Sequence, residues 1–192
     1  MDLFQVRIKK MQRRVGAWAE VVDVWRRTNP CTLVMVTLTY ANVKDYKQGH
    51  IREYLNRLRG MLKDNLLGWA WVAEVQKRGA VHYHLMIVVK KFSRVPKPDE
   101  QGHWRHGMSN VVRARSPYYL VKYLGKKHQK DLSRYPKGCR TYATSIRFGD
   151  ETLKSLYRRM AGLEDVEPKS GDWRYKGSSV TLGYASKILA RW

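Results

Sequence analysis

Apolar side chains recur at alternating intervals of four and three residues near the start of the chain. This spacing places them on one face and predicts a long amphipathic helix within residues 1–29, ended by Asn29-Pro30. The helix either docks on its own domain or pairs with a second copy as a coiled coil, for which the pattern offers only about three heptads. The apolar seam consists of Phe4, Ile8, Met11, Val15, Trp18, Val22 and Trp25.

The following segments alternate between strand and helix periodicity. Residues 32–40 contain the β-branched run LVMVTLTY, which predicts a buried central strand. Residues 51–62 have the spacing of an amphipathic helix. Residues 69–76 and 80–89 predict two strands that form a hairpin, with a turn that ends at Gly79.

The second half of the pattern is less regular. Residues 90–107 are polar and contain prolines, so they predict a loop before a short edge strand over residues 111–115. Ser116-Pro117 is typical of a helix start, with serine as the N-cap. Hairpin-linked strands interleaved with three or four helices predict an α+β fold, with an antiparallel sheet partly covered by helices. A further strand over 139–148 and a further helix over 153–160 complete the prediction.

The charge of the chain narrows the class of partner. The 192 residues include 38 Lys and Arg against 16 Asp and Glu, which gives a net charge of +22. Such an excess repels itself unless a polyanion offsets it, and neutralised phosphates release counterions on binding. The basic residues are spread along the chain rather than clustered, which favours nucleic acid over an anionic membrane surface.

Cysteine usage and hydropathy indicate the compartment. Cys31 and Cys139 lie far apart in sequence, which predicts reduced thiols rather than a disulfide framework. No signal peptide is visible, and Glu20 and Asp23 interrupt the early apolar stretch, which falls short of the about 18 apolar residues of a membrane span. We expect a cytoplasmic protein with no membrane association, as a monomer or a dimer.

The predicted hairpin carries a candidate metal site. His82 and His84 are two residues apart on a strand, so both imidazoles face the same side. A three-residue turn with Gly79 in the left-handed conformation pairs Glu74 with His82 and adds a carboxylate to that face, whereas a two-residue turn puts Glu74 on the other face. Two imidazoles and one carboxylate suit Mn²⁺ or Mg²⁺ with a phosphate substrate. The alternative is two ordinary surface histidines.

The helix expected after Pro117 carries candidate nucleophiles. Tyr119, Lys122, Tyr123 and Lys126 are spaced so that a helix would place them on one face. A tyrosine oxygen can attack a phosphodiester and form a phosphotyrosine, while Lys122 could stabilise the phenolate or the phosphate charge. The same residues could also pack and contact phosphate without chemistry.

Three motifs resemble, in the expected order, those of HUH-type rolling-circle replication initiators. They fall within residues 34–127, and residues 140–147 resemble a tail common in phage and plasmid members. Two tyrosines four residues apart also resemble the initiators of small isometric single-stranded DNA phages. The motifs are Thr37-Leu-Thr-Tyr40, His82-Tyr83-His84 and Tyr119-Leu-Val-Lys-Tyr123.

The resemblance implies a nicking endonuclease domain over residues 30–162, with a ferredoxin-like antiparallel sheet, and a C-terminal extension over residues 163–192. The family reaction nicks single-stranded or hairpin origin DNA, keeps the 5′-phosphate on tyrosine and later rejoins the ends. No Walker-type phosphate loop occurs, so a host helicase and polymerase are expected partners. By resemblance, Tyr119 is the nucleophile, Lys122 its partner and Tyr123 a second nucleophile, while Glu74, His82 and His84 are the metal ligands.

Other interpretations remain at this point. A single-tyrosine transposase or a relaxase shares the histidine pair, and a non-catalytic basic nucleic-acid-binding module would leave the histidines and tyrosines without a role. His103 and His106 are interpreted as ordinary polar surface residues. Four basic residues flank the tyrosines and are predicted to contact DNA phosphates: Arg113, Arg115, Lys126 and Lys127.

Overall fold

The computed structural model describes residues 3–125 and 132–146 of the chain. Five strands form one antiparallel sheet with the order β4-β1-β3-β2-β5, and the α+β prediction is confirmed. Each predicted strand is present, although β4 begins earlier and β5 is shorter than expected. The strands are β1 (Cys31–Tyr40), β2 (Leu66–Val75), β3 (Val81–Lys90), β4 (Gly107–Ala114) and β5 (Tyr142–Ile146).

One face of the sheet is covered by helix α2 (His50–Leu62), which connects β1 to β2 while β3 lies between them. This split β-α-β unit is the beginning of a ferredoxin-like arrangement. Alternate residues of the strands point toward α2, because side chains along a strand alternate between its faces. We call the buried set on this side the α2-side core; its main members are Val36, Leu38, Tyr54, Leu58, Trp71, Tyr83, Leu85 and Ile87.

The other face is covered by helix α1 (Leu3–Trp25), which confirms the long N-terminal helix. Trp18 of the predicted seam is fully buried and its indole nitrogen donates to the Ser145 carbonyl at 3.0 Å. The seam therefore packs on the chain's own sheet, as the docked alternative predicted, and is not available for a coiled coil. We call the set on this side the α1-side core; its main members are Met11, Val15, Trp18, Val22, Met35, Val72, Met86, Leu120 and Leu124.

The connection between β3 and β4 is pinned rather than loose. Trp104 is buried and donates to the Thr39 carbonyl at 3.2 Å, and the Ser109 hydroxyl donates to Asp99 at 2.5 Å. The interpretation of His106 as an ordinary surface residue is wrong. Its ring stacks on that of His50 with centroids 3.5 Å apart, because Trp104 and the end of β1 hold it against the start of α2.

Three predictions from the sequence concern thiols, membranes and the C-terminal part. Cys31 and Cys139 are free thiols, as expected. Among the helices that the structure describes, none is both long and apolar enough to cross a membrane. The helix over residues 153–160 and the extension over residues 163–192 lie outside the described residues.

Candidate active site

The β2–β3 hairpin brings the predicted carboxylate and imidazoles together. The turn is closed by hydrogen bonds from Gly79 to Gln76 and from Gln76 to Ala80, and Gly79 adopts a φ of 91°. A left-handed residue is favourable here only for glycine or a few polar residues. This turn pairs Glu74 with His82, as the three-residue turn predicted, and leaves His84 two residues further along the same face.

Glu74 and His84 are in direct contact. The distance between Glu74 Oε2 and His84 Nε2 is 2.9 Å, and the two side chains are 13% and 7% exposed. The His82 and His84 rings lie side by side with centroids 4.5 Å apart. The three residues thus form a compact group at the end of the sheet, beyond the part that α1 covers.

Two threonines of β1 hold the histidine rings from the neighbouring strand. Thr39 Oγ1 lies 2.9 Å from His82 Nδ1, and Thr37 Oγ1 lies 3.4 Å from His84 Nδ1. The antiparallel register pairs Thr37 with His84 and Thr39 with His82, which places both hydroxyls on the histidine face. The sequence analysis identified these threonines only as part of a motif; their role depends on a pairing between residues more than forty positions apart.

Gln76 is a further neighbour that the sequence analysis did not identify. Its amide nitrogen lies 3.1 Å from His82 Nδ1, while its amide oxygen accepts from Arg78 at 3.0 Å. Arg78 also donates to the carbonyls of Tyr40 and Ala41, so the hairpin turn is tied to the end of β1. With this orientation of the amide, Nδ1 of His82 is a hydrogen-bond acceptor.

The fit of a metal ion can be tested on these contacts. Two ligands at right angles on an ion with bonds of about 2.1 Å lie about 3.0 Å apart, close to the Glu74–His84 separation of 2.9 Å. Across residues 3–125 and 132–146, however, no three His, Cys, Asp or Glu side chains form a group already arranged to hold a metal. Glu74 and His84 therefore fit such an ion, and His82 requires an adjustment, because a ligating Nε2 leaves its proton on Nδ1, which the Gln76 amide now faces.

The tyrosine segment is not the regular helix that the spacing predicted. Ser116 caps it by accepting from the Tyr118 amide, as expected, but the chain then forms two 3₁₀ turns, Pro117–Tyr119 and Val121–Gly125. Leu120 and Leu124 are buried in the α1-side core. A segment this short has little helical stability of its own, so docking of these two leucines determines its shape.

The two tyrosines occupy different positions in this segment. The Tyr123 ring stacks on the His84 ring, with centroids 3.6 Å apart and an angle of 21° between the planes. Burial raises the pKa of Tyr123, and the nearby Tyr119 and Glu74 raise it further. Tyr119 is 51% exposed, and the Lys122 ammonium lies 5.6 Å from its ring centroid. The structure thus brings the tyrosine segment onto the histidine face, with Tyr123 in contact.

The four predicted DNA-binding residues are not gathered at this site. Arg113 is exposed and pairs with Val34, so it points to the α2 side of β4, away from the histidines. Arg115 is exposed just after β4. Lys126 and Lys127 lie outside the described residues. Contacts between these residues and DNA remain predictions.

Comparison with known proteins gives one match. The model of the replication-associated protein family that comprises ORF2 and gene II proteins matches residues 33–128, which is half of the chain and includes β1 to β4, both histidines and both tyrosines. No curated protein and no solved structure matches the chain significantly.

Proposed function

The chain belongs to the replication-associated protein family of ORF2 and gene II proteins, and from this premise we propose that it initiates rolling-circle replication by nicking and rejoining single-stranded origin DNA. The observation that supports the proposal is the stacking of Tyr123 on His84, which joins the tyrosine segment to the Glu74, His82 and His84 group. A nucleophile beside a site that can hold a metal is the arrangement that phosphoryl transfer to a side chain needs.

Glu74, His82 and His84 would hold the metal ion, Mn²⁺ or Mg²⁺. A bound ion would supply Lewis-acid polarisation of the scissile phosphate. Thr37 and Thr39 orient the imidazole rings through their Nδ1 atoms. Such neighbours fix ring orientation and are part of the site even though they do not bind the ion themselves.

Tyr119 is proposed as the first nucleophile. Its phenol oxygen attacks the phosphorus, the bond from phosphorus to the 3′ oxygen breaks, and the 5′-phosphate remains on the tyrosine. The phenol proton leaves to solvent, and the released 3′ oxygen takes up a proton to become a hydroxyl. Lys122, which already lies beside the Tyr119 ring, offsets negative charge on the phosphate. Rejoining reverses these bonds when a 3′-hydroxyl attacks the phosphotyrosine, and Tyr123 is proposed as the nucleophile of the second transfer.

The reaction depends on partners. Single-stranded or hairpin origin DNA is the substrate, and the net charge of +22 supports binding of its phosphates. A host helicase would unwind the duplex and a host polymerase would extend the 3′-hydroxyl, which places the reaction in the interior of the host cell.

A covalent-adduct assay tests the proposal. Single-stranded DNA from both strands of the replicon that encodes the chain is incubated with protein and Mn²⁺ and run on a denaturing gel. We expect a metal-dependent adduct that is lost in Tyr119→Phe, while Tyr123→Phe still forms it but fails to transfer the strand onward. An adduct of undiminished yield in Tyr119→Phe would overturn the assignment of the nucleophile. Absence of adduct with wild-type protein on every strand, with DNA binding retained, would overturn the nicking function.

A further inference from the structure

A second basic site lies at the β5 edge of the sheet. A cavity of about 470 Å³ opens there, large enough for a nucleotide. Its lining contains three cations and, among the described residues, no carboxylate. The polar lining consists of Arg7, Gln48, Tyr135, Lys137, Arg140 and Thr141.

The cavity lies between the two helical layers. Arg7 belongs to α1, which covers the histidine face, whereas Gln48 lies just before α2, which covers the opposite face. Residues 135–141 form the remaining wall and include a turn in which the Cys139 amide donates to the Pro136 carbonyl and Gly138 has a φ of 77°. A strand that left the histidine face around this edge would meet the cavity.

The wall of the cavity is bonded to the residue next to a proposed metal ligand. The Tyr135 hydroxyl donates to the Ala73 carbonyl at 3.0 Å, and the Ala73 amide donates to the Thr141 carbonyl at 2.7 Å. Ala73 points into the α2-side core, so its neighbour Glu74 points to the histidine face. The cavity and the candidate active site are therefore on adjacent positions of one strand.

The cations of the cavity are available for an anion. Arg7, Lys137 and Arg140 are exposed, and within residues 3–125 and 132–146 none of them forms an ion pair. Arg140 donates one hydrogen bond, from Nε to the Tyr142 carbonyl, which orients the guanidinium and leaves its other donors. Converging cations with fixed orientation suit a phosphate group.

We propose that this cavity binds a backbone phosphate of the single-stranded DNA on one side of the cleavage point, as the strand passes around the β5 edge. The proposal rests on the proposed function, since it identifies the strand as the ligand. It makes Lys137 and Arg140 DNA-binding residues in addition to those predicted from the sequence.

The test measures how binding depends on salt. A fluorescently labelled oligothymidylate of about 15 nucleotides, a length that single-strand binders cover, is titrated at several salt concentrations. Each lost phosphate contact lowers the slope of log K against log salt by about 0.7 for single strands, so Lys137→Gln/Arg140→Gln should lower the slope by about 1.4. The charge-matched control is Arg52→Gln/Lys91→Gln, which removes two exposed cations, one from α2 and one just after the far end of β3, and should leave the slope unchanged.

The outcomes separate the two proposals. Equal slopes for the two double variants would overturn the cavity as a phosphate site, whether or not the wild-type protein nicks DNA. A lower slope only in the cavity variant supports the site, even if no covalent adduct forms. If the double variant does not fold, Lys137→Gln alone, in an exposed turn, should lower the slope by about 0.7 and carries the same conclusion.

Discussion

The contact between Tyr123 and His84 gives one residue two possible contributions. Its ring fixes the imidazole from one side, while Thr37 holds the Nδ1 edge. Its hydroxyl is the group proposed for the second strand transfer. Variants that keep the ring and remove the hydroxyl separate these contributions.

Tyr123→Ala should weaken Mn²⁺ binding by at least about tenfold, the range found when neighbours of metal ligands are removed. Tyr123→Phe should bind Mn²⁺ like the wild type, since the phenyl ring still stacks on His84. The free Mn²⁺ signal in electron paramagnetic resonance titrations measures the affinity without turnover. Equal affinity of all three proteins would show that the stack does not position His84.

The stacked His50 and His106 pair makes stability depend on pH. Burial lowers the pKa of both residues, and for His106 the charge of His50 lowers it further. Tyr40 from β1, Trp104 from the β3–β4 connection, and Asp45, Lys47, Glu53 and Arg57 from around α2 also face the pair. Because the unfolded chain binds these protons more tightly, stability is full above the ordinary pKa of about 6.5 and falls as the pH decreases below it.

Urea denaturation at a series of pH values measures this effect. We expect His106→Gln to lose less stability than the wild type between neutral and mildly acidic pH, because the stacked pair no longer carries two titrating rings. His103→Gln, in the same connection, is the control and should follow the wild type. A steeper acid-dependent loss in His106→Gln than in the wild type would contradict the expected sign.

At the scale of elements, the start of β4 depends on a close backbone approach. Gly107 has a φ of 149°, and a Cβ there would meet the Thr39 carbonyl oxygen and the Ala41 amide nitrogen. The Ala41 amide donates to the His106 carbonyl at 2.8 Å, which ties β4 to the end of β1 beside the threonines.

Gly107→Ala should destabilise the protein by about 2–3 kcal/mol, through backbone strain and displacement of β1. Gly60→Ala is the matched control, since a Cβ on this residue of α2 meets nothing within 4 Å and alanine favours a helix by about 0.5–1 kcal/mol. Thermal unfolding of both variants compares them directly. A tolerated Gly107→Ala would show that β4 can move away from β1 at little cost.

The elements that the sequence predicted best are those with local signals. Gly79 specified the turn, and the turn specified the pairing of Glu74 with His82. The tyrosine segment was predicted as a helix because the spacing of Leu120 and Leu124 is helical, but their docking on α1 residues far away in sequence determines the 3₁₀ turns. The contacts of Thr37, Thr39 and the His50–His106 stack could not be predicted, since they arise from strand pairing and packing between distant segments.

At the scale of the whole molecule, α1 completes the fold rather than extending it. The helix supplies Trp18, Val15 and Val22 to the α1-side core, on the face of the sheet that also carries the site. Without α1, β-strand residues such as Met86 and Val88 would lose their cover, and so would Leu120 of the tyrosine segment.

Trp18→Ala should therefore destabilise the protein by about 3–5 kcal/mol, the range for a large aromatic removed from a core, and should not alter oligomeric state. Urea denaturation at two protein concentrations measures both effects. Val24→Ala, at a 41% exposed position of the same helix, is the control and should have little effect. A concentration-dependent midpoint only in the wild type would instead indicate that α1 pairs with a second copy.

The alternation of the strands has a consequence for engineering. The same backbone of β1 and β3 presents the threonines and histidines on one side and Leu38, Tyr83 and Leu85 on the other. Thermostability could therefore be improved by redesigning the side beneath α2, with the chemistry left untouched. A library aimed at new cleavage sequences would vary the opposite set of positions. The two searches can proceed in parallel and their best sequences can be combined in one gene.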